Sequence, residues 1–260
     1  MQRPIGIFDS GVGGTSIWKE LYQLMPNEST IYLADSKNAP YGEKAKEEIL
    51  QLSIKNTELL LERDCKLIVV ACNTATTNAI DYLRKNYNIP FIGIEPAIKP
   101  AALQTETKKV GVLATKGTLS SNLFYNTSKL FASGIKVYEQ EGKGLVELIE
   151  AGLSDSKELK NLLNQFLHPM LEEGIDCLVL GCTHYPYLIP VLEEILPKGI
   201  RIIDSGQAVA KQTQSVLESN VLLNSSSESS PKKLFYSNAN PLLLKKLVNR
   251  DDIEVSYLDF

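Results

Sequence analysis

Six short, mostly apolar runs, at residues 5–8, 30–33, 67–70, 110–113, 178–180 and 201–203, constrain this chain more tightly than any other feature. Each is rich in β-branched residues, and longer amphipathic stretches separate them. A strand with one wet face alternates apolar and polar side chains. These runs are continuous, so both faces of each strand need a cover. Strands alternating with helix-length segments make βαβ units around a parallel sheet. The expected class is therefore α/β, with doubly wound, mostly parallel sheets. At 260 residues the chain is long enough for one large unit or two smaller ones.

The chain also resembles itself. Gly6-Ile7-Phe8-Asp9-Ser10-Gly11 is echoed by Gly111-Val112-Leu113-Ala114-Thr115-Lys116-Gly117, and Val69-Val70-Ala71-Cys72-Asn73-Thr74 by Val179-Leu180-Gly181-Cys182-Thr183-His184. Asp9 precedes Cys72 by 63 residues and Thr115 precedes Cys182 by 67, so the spacing repeats along with the pattern. Two similar lobes follow, with the site in the cleft between them. Ile94-Glu95-Pro96-Ala97-Ile98-Lys99-Pro100, with its two prolines, reads as the crossing, and Asp204-Ser205-Gly206 as the return. The first lobe is expected to comprise 1–95 and 208–260, the second 96–207. The strand-like Leu234-Phe235-Tyr236 and the last helix and strand should complete the first lobe. Residues 224–231 are a polar low-complexity loop, expected to be mobile.

Charge and composition remove several function classes. With 43% hydrophobic and 22% charged residues the chain is an ordinary globular one. A net charge of -4 gives no basic footprint for nucleic acid. No apolar run is long enough for a membrane span, and Met1-Gln2-Arg3-Pro4 leads straight into a strand without a secretory leader, so a cytoplasmic protein is expected. Without a leader, Cys65, Cys72, Cys177 and Cys182 read as reduced thiols. Their spacing misses the tight pairs of a structural zinc site, and no metal is expected.

Cys72 and Cys182 each follow an apolar strand and precede a helical segment. In open α/β sheets ligands bind there, beyond the carboxyl ends of the strands. A helix N-terminus at such a place should lower a thiol pKa from about 8.5 toward neutrality. One such cysteine is an ordinary small hydrophobe; two at equivalent places in two lobes point to acid/base chemistry. Around them stand Asp9, Ser10, Asn73, Thr74, Thr76, Thr115, Thr183 and His184, which serve equally as helix caps. The Ser10-Gly11-Val12-Gly13-Gly14-Thr15 loop lacks the full G-x-G-x-x-G pattern and a Gly-Lys-Ser/Thr ending, which disfavours a nucleotide. Its glycines are expected to let backbone amides approach a substrate carboxylate. The loop running from Asp35 through Pro40-Tyr41-Gly42 should present an exposed phenol and backbone donors. His168 lacks polar companions in the sequence and reads as structural, as do Cys65 and Cys177.

Taken in order, Phe8-Asp9-Ser10-Gly11-Val12-Gly13-Gly14, Pro40-Tyr41-Gly42, Ala71-Cys72-Asn73-Thr74-Ala75, Glu95-Pro96 and Gly181-Cys182-Thr183-His184-Tyr185-Pro186 carry a whole-chain resemblance. The chain resembles the glutamate racemases of the aspartate/glutamate racemase superfamily. The resemblance implies that Cys72 and Cys182 are two catalytic bases on opposite sides of the substrate Cα, acting on the D and the L enantiomer respectively. It implies that Asp9 assists Cys72 and His184 assists Cys182. Substrate contacts carried over are Asp9, Ser10, Pro40, Tyr41, Gly42, Asn73, Thr74, Thr76, Thr115, Lys116, Thr183 and His184. Glu150 matches an acidic residue near the site, although Leu145-Val146-Glu147 departs from the Phe-Val-Pro run common there. The resemblance further implies glutamate as substrate, no cofactor, a homodimer, and D-glutamate supply to bacterial peptidoglycan. Activation by a peptidoglycan precursor goes with a longer N-terminus and is not expected here.

The residues by themselves leave alternatives open. Aspartate in place of glutamate is the nearest, because discrimination of side-chain length is invisible in the sequence. A thiol redox protein also presents reactive cysteines, but ordinarily close enough to pair, as in Cys-x-x-Cys. An amino-acid-binding module needs no thiols. Racemisation without an electron sink requires preorganised donors at the α-carboxylate and exclusion of water. The two lobes are accordingly expected to close over the ligand, hinging near Glu95-Pro96 and Ser205-Gly206.

Overall fold

The computed structural model describes residues 3–132, 134–224 and 230–260; residues 225–229, the middle of the polar loop noted above, lie outside the described residues. Two parallel sheets organise the chain. The first contains β1 (Ile5–Asp9), β2 (Thr30–Ala34), β3 (Leu67–Val70) and β4 (Phe91–Gly93), joined by α1 (Thr15–Leu24), α2 (Lys46–Glu62) and α3 (Asn73–Asn86). The second follows α4 (Ile98–Gln104) and contains β5 (Lys109–Ala114), β6 (Lys136–Glu141), β7 (Cys177–Gly181) and β8 (Arg201–Ile203). Its connections carry α5 (Lys116–Leu119), α6 (Asn122–Phe131), α7 (Leu145–Glu150), α8 (Lys157–Glu172) and α9 (Ile189–Ile195). The chain then returns through α10 (Gly206–Ser219) to add β9 (Lys233–Ser237), α11 (Leu242–Val248) and β10 (Glu254–Tyr257) to the first sheet.

The strand orders are β10-β9-β2-β1-β3-β4 and β6-β5-β7-β8. With β9 and β10 set aside, the two sheets have one topology, β1 to β4 matching β5 to β8. This is the physical content of the internal echo in the sequence. In each sheet successive connections diverge to opposite sides between the first and third strands, which opens a crevice at their carboxyl ends. Asp9 and Cys72 flank the first crevice, Thr115 and Cys182 the second.

Both faces of each sheet are covered, as the continuous apolar runs require. On one face of the first sheet Trp18, Tyr32 and Phe235 pack together, with ring centroids 5.0 and 5.1 Å apart. The other face is closed by α2 and α3 through Leu60, Ala79, Ile80 and Leu83. In the second sheet Leu159, Leu163 and Leu167 of α8 lie on one face, and Ile98, Ala101 and Phe124 on the other. At their spacing of four residues the α8 leucines form one apolar stripe. The Ser156 hydroxyl caps α8 by accepting the Leu159 amide at 3.2 Å. The outer strand β6 is half-buried or exposed along its length and carries Lys136, Glu139 and Glu141, charges that discourage further strand pairing.

The two crossings between the sheets touch, because the Ser205 hydroxyl donates to the Glu95 carbonyl. Among the described residues, no helix is long and apolar enough to cross a membrane. Among them, too, there is no group of three or more His, Cys, Asp or Glu side chains placed to hold a metal.

Candidate functional site

The two crevices face each other, and the cavity between them brings together residues from both sheets. The first contributes Ser10, Pro40, Tyr41, Gly42, Cys72, Asn73 and Thr74; the second contributes Thr115, Val146, Cys182, Thr183 and His184. Eleven of these twelve come from the positions singled out in the sequence. Val146, on the first turn of α7, is the addition; an aliphatic residue within an apolar helix carries no chemical signal.

The thiols are set differently. Cys72 caps α3, its sulfur accepting the Ala75 amide at 3.4 Å, and its S–H points at the Ser10 hydroxyl 3.6 Å away. A helix N-terminus alone suggested a lowered pKa. Here burial, followed by the negative charge of Asp9, outweighs the Ala75 and Ser10 hydrogen bonds and pushes the Cys72 pKa well up. The helical segment after Cys182 opens as a 3-10 helix at Tyr185–Leu188 before continuing into α9. Its sulfur lies 3.8 Å from His184 Nδ1, and His184 Nε2 lies 2.6 Å from Glu150 Oε1. Burial opposes a charge on this imidazole, but the hydrogen bonds and charges of Cys182 and Glu150 prevail and hold its pKa well above the ordinary value. The protonated ring donates Nε2–H to Glu150 and turns Nδ1–H toward Cys182.

Asp9, expected among the substrate contacts, is fully buried and is not among the residues that line the cavity. Its Oδ2 accepts the Gly11 and Gly14 amides at 3.2 and 3.0 Å, and its Oδ1 accepts the Thr183 hydroxyl at 3.2 Å. These bonds go to the glycine loop and to the opposite lobe rather than to Cys72. Full burial raises its pKa to about 6, against the opposing pull of His184 and the Gly14 amide, with Glu150 adding to the rise.

The glycine loop corrects another expectation. Its amides do approach carboxylates, but those of the protein itself: Gly11 and Gly14 serve Asp9, and the Val12 amide donates to Glu150 Oε1 at 2.6 Å. The Gly13 amide points at His184 Nε2 from 3.2 Å, a bond available only when that nitrogen is bare. A Cβ on Gly11 would fall 1.9 Å from a Glu150 carboxylate oxygen, and one on Gly13 2.3 Å from His184 Nδ1. The loop is thus a seam along which one lobe grips the acid and imidazole of the other.

Three further expectations change. Thr76 does not reach the cavity; its hydroxyl donates to the Val70 carbonyl at 3.1 Å and accepts the Ile94 amide at 3.0 Å, tying β3 to the end of β4. Tyr41 is not exposed; its hydroxyl is buried and donates to Asp35 Oδ2, so its loop offers the cavity Pro40, Gly42 and a ring rather than a free phenol. Lys116 lies outside the thiol cavity, in an adjoining vestibule with Glu43 and Lys143. Thr115 and Thr74 meet across the cleft through their hydroxyls at 2.8 Å.

Away from the site, His168 is exposed on α8 and has a polar companion after all, Glu172 at 3.3 Å. All four cysteines are free and buried, Cys65 with its pKa pushed up by burial to about 12. One side chain at the cavity is incomplete. Asn73 is 3% exposed, and neither its amide nitrogen nor its amide oxygen has a partner. Such an amide is costly to leave unpaired, which is what a polar ligand relieves.

The Asp/Glu/Hydantoin racemase family matches residues 15–213. Glutamate racemase of Herpetosiphon aurantiacus is 48% identical over 222 residues, 85% of this chain and 87% of that protein. Glutamate racemase of Pseudomonas paraeruginosa is 45% identical over 246 residues, 94% and 92% of the two chains. Among solved structures, Escherichia coli glutamate racemase in complex with L-glutamate and the activator UDP-MurNAc-Ala superposes with a TM-score of 0.87 at 35% identity, covering 98% of this chain and 97% of that one. Glutamate racemase isoform RacE1 from Bacillus anthracis gives a TM-score of 0.87 at 30% identity over 99% and 98% of the chains. With matches spanning nearly the whole of both partners, the chain belongs to the Asp/Glu/Hydantoin racemase family and, within it, to the glutamate racemases.

Proposed function

We propose that the chain interconverts L- and D-glutamate by two-thiol proton transfer that needs no cofactor. The observation that carries this reading is the placement of Cys72 and Cys182 at equivalent ends of β3 and β7, on one cavity that also holds the unpaired Asn73 amide. In one direction the Cys182 thiolate takes the Cα proton of L-glutamate and becomes a thiol. The Cys72 thiol gives its proton to the opposite face of Cα and becomes the thiolate. The roles then exchange, and the D enantiomer runs the steps backward.

Three parts of the site make this chemistry accessible. His184, held by Glu150 at its far nitrogen, turns its Nδ1 to the Cys182 sulfur, where a protonated ring offers a charge-assisted hydrogen bond. A substrate ammonium entering the cavity offsets the burial that disfavours the Cys72 thiolate, so that thiol ionises with ligand in place. Asn73 and Thr74 are the side-chain donors for the α-carboxylate as negative charge spreads onto it, each such donor being worth about 3 kcal/mol, the Thr183 hydroxyl being engaged with Asp9. Glutamate rather than aspartate is supported by the relatives named above and by the L-glutamate held by the Escherichia coli protein. The same reading includes a cytoplasmic homodimer that supplies D-glutamate for peptidoglycan. Sedimentation at micromolar concentration checks the dimer, a monomer counting against it.

Deuterium incorporation at Cα tests the mechanism, using purified protein, L- or D-glutamate, D₂O and no added cofactor. Exchange with inversion is expected from either enantiomer. Racemisation that survives Cys72→Ser or Cys182→Ser unchanged removes the two-thiol mechanism.

A further inference from the structure

The strands that only the first lobe possesses, β9 and β10, are wired to the site through one buried amide. We propose that Asn238, the residue after β9, is a positioning residue for the racemisation proposed above, acting through the loop 35–42. The inference rests on that reading of the site.

Asn238 is 3% exposed and uses its amide fully. Its Oδ1 accepts the Lys37 backbone amide at 2.9 Å, and its Nδ2 donates both to Asp35 Oδ1 and to the Phe260 carbonyl, the latter at 3.1 Å. Its own backbone amide donates to the Ala34 carbonyl at 3.3 Å. Asp35, fully buried, therefore gathers the Asn238 amide, the Asn38 amide at 2.7 Å and the Tyr41 hydroxyl, with Lys55 Nζ 3.9 Å away. Asn56 donates to the Tyr41 hydroxyl from the other side at 3.2 Å.

The loop held in this way touches the site at two points. Pro40, Tyr41 and Gly42 form one wall of the thiol cavity. At the other end of the loop the Ser36 hydroxyl donates to Glu150 Oε2 at 3.2 Å, on the same carboxylate that holds His184. A side chain that touches neither substrate nor thiol thus fixes both the wall facing Cys72 and a support of the acid behind Cys182. From β9 the core itself is filled by Phe235, a residue that takes no part in these bonds. A buried carboxylate offered three donors and a neighbouring lysine is a rigid anchor, and a shift of about 1 Å in a positioning loop is enough to cost up to 10²-fold in rate.

The test compares wild type, Asn238→Ala, Tyr41→Phe and the double variant in racemase kinetics, with amide hydrogen exchange over 36–43 as a second readout. Asn238→Ala is expected to lower kcat/KM about tenfold, chiefly through KM, while exchange at 36–43 quickens and exchange in β1 is unchanged. The double variant should be no worse than the poorer single variant, because both remove the same support. Phe235→Leu, which loosens the core without touching the loop, should lower thermal stability and leave KM alone. If Asn238→Ala does not fold, Asn238→Ser is read in the same way. Kinetics within about twofold of wild type, or effects of Asn238→Ala and Tyr41→Phe that multiply in the double variant, would overturn the proposal. Absence of racemisation by the wild type would instead defeat the underlying reading, with loop exchange still reporting whether Asn238 orders the loop.

Discussion

The first lobe presents its thiol through backbone and a hydroxyl, whereas the second presents its thiol through a charge pair. Cys72 has the Ala75 amide and Ser10; Cys182 has His184 backed by Glu150. Strand order is shared and electrostatics are not. One sheet topology therefore fixes where two opposed groups stand, while the surroundings of each thiol give it different hydrogen-bond partners. Under the two-thiol reading proposed above, each group reaches its charged form by a different route, although both must hold and release the proton in turn.

The largest effects should come from removing either member of the opposed pair. Cys72→Ala and Cys182→Ala are each expected to lower kcat for racemisation by at least about 10³-fold, read by circular dichroism of glutamate. A residual rate close to wild type in either variant would mean that the two sites are not a pair. Next in size, His184→Asn should lower kcat by about 10²-fold and displace the pH profile, since it removes the cation beside Cys182 and leaves Glu150 without its partner. An unchanged pH profile would show that the lobes do not differ in the way the hydrogen bonds indicate.

Asp9 offers a test through stability. Its folded pKa of about 6 lies above its unfolded value, so the native state binds more protons between these two values. Its contribution is complete at pH below the unfolded pKa and is lost as pH rises through about 6. Asp9→Asn should remove that slope, a change on the order of 3 kcal/mol between pH 3 and pH 7 as read by urea denaturation. A wild-type slope that persists in the variant assigns it to other groups. The smallest kinetic effect is expected from Thr76→Val. Tying β3 to β4, this residue should affect stability by about 1–2 kcal/mol and KM by less than roughly twofold. A large rise in KM would restore Thr76 to the substrate contacts.

The sequence carried the sheet class, the second sheet's kinship with the first, and eleven of the residues that meet at the cavity. Continuous apolar strands and a repeated strand–loop pattern are local signals, and strand ends in parallel sheets converge by rule. What it did not carry were the pairings made by folding. Thr76 and Thr74 look alike in the sequence, yet one faces the neighbouring strand and the other the cleft, a difference set by helical phase. The phenol of Tyr41 looked free because Asp35 and Asn56, six residues before it and fifteen after, gave no sign of meeting it. Asn238 lies some two hundred residues from the loop it holds, and a single asparagine after a strand reads as a turn. The thiol of Cys72 ran against expectation because a helix N-terminus is visible in sequence and full burial is not.

The glycine seam has a consequence for how such chains can vary. Gly11 and Gly13 lack side chains because groups from the other lobe occupy that space, so the first lobe contains positions whose permitted residues are decided by the second. Although the lobes share a topology, they are not interchangeable parts. A hybrid joining this first lobe to a foreign second lobe inherits two blank positions cut to the shape of Glu150 and His184. It can close only if the incoming lobe supplies groups of the same form. Inheritance at this seam is by matched pairs, and recombination at the boundary between lobes is restricted to that extent.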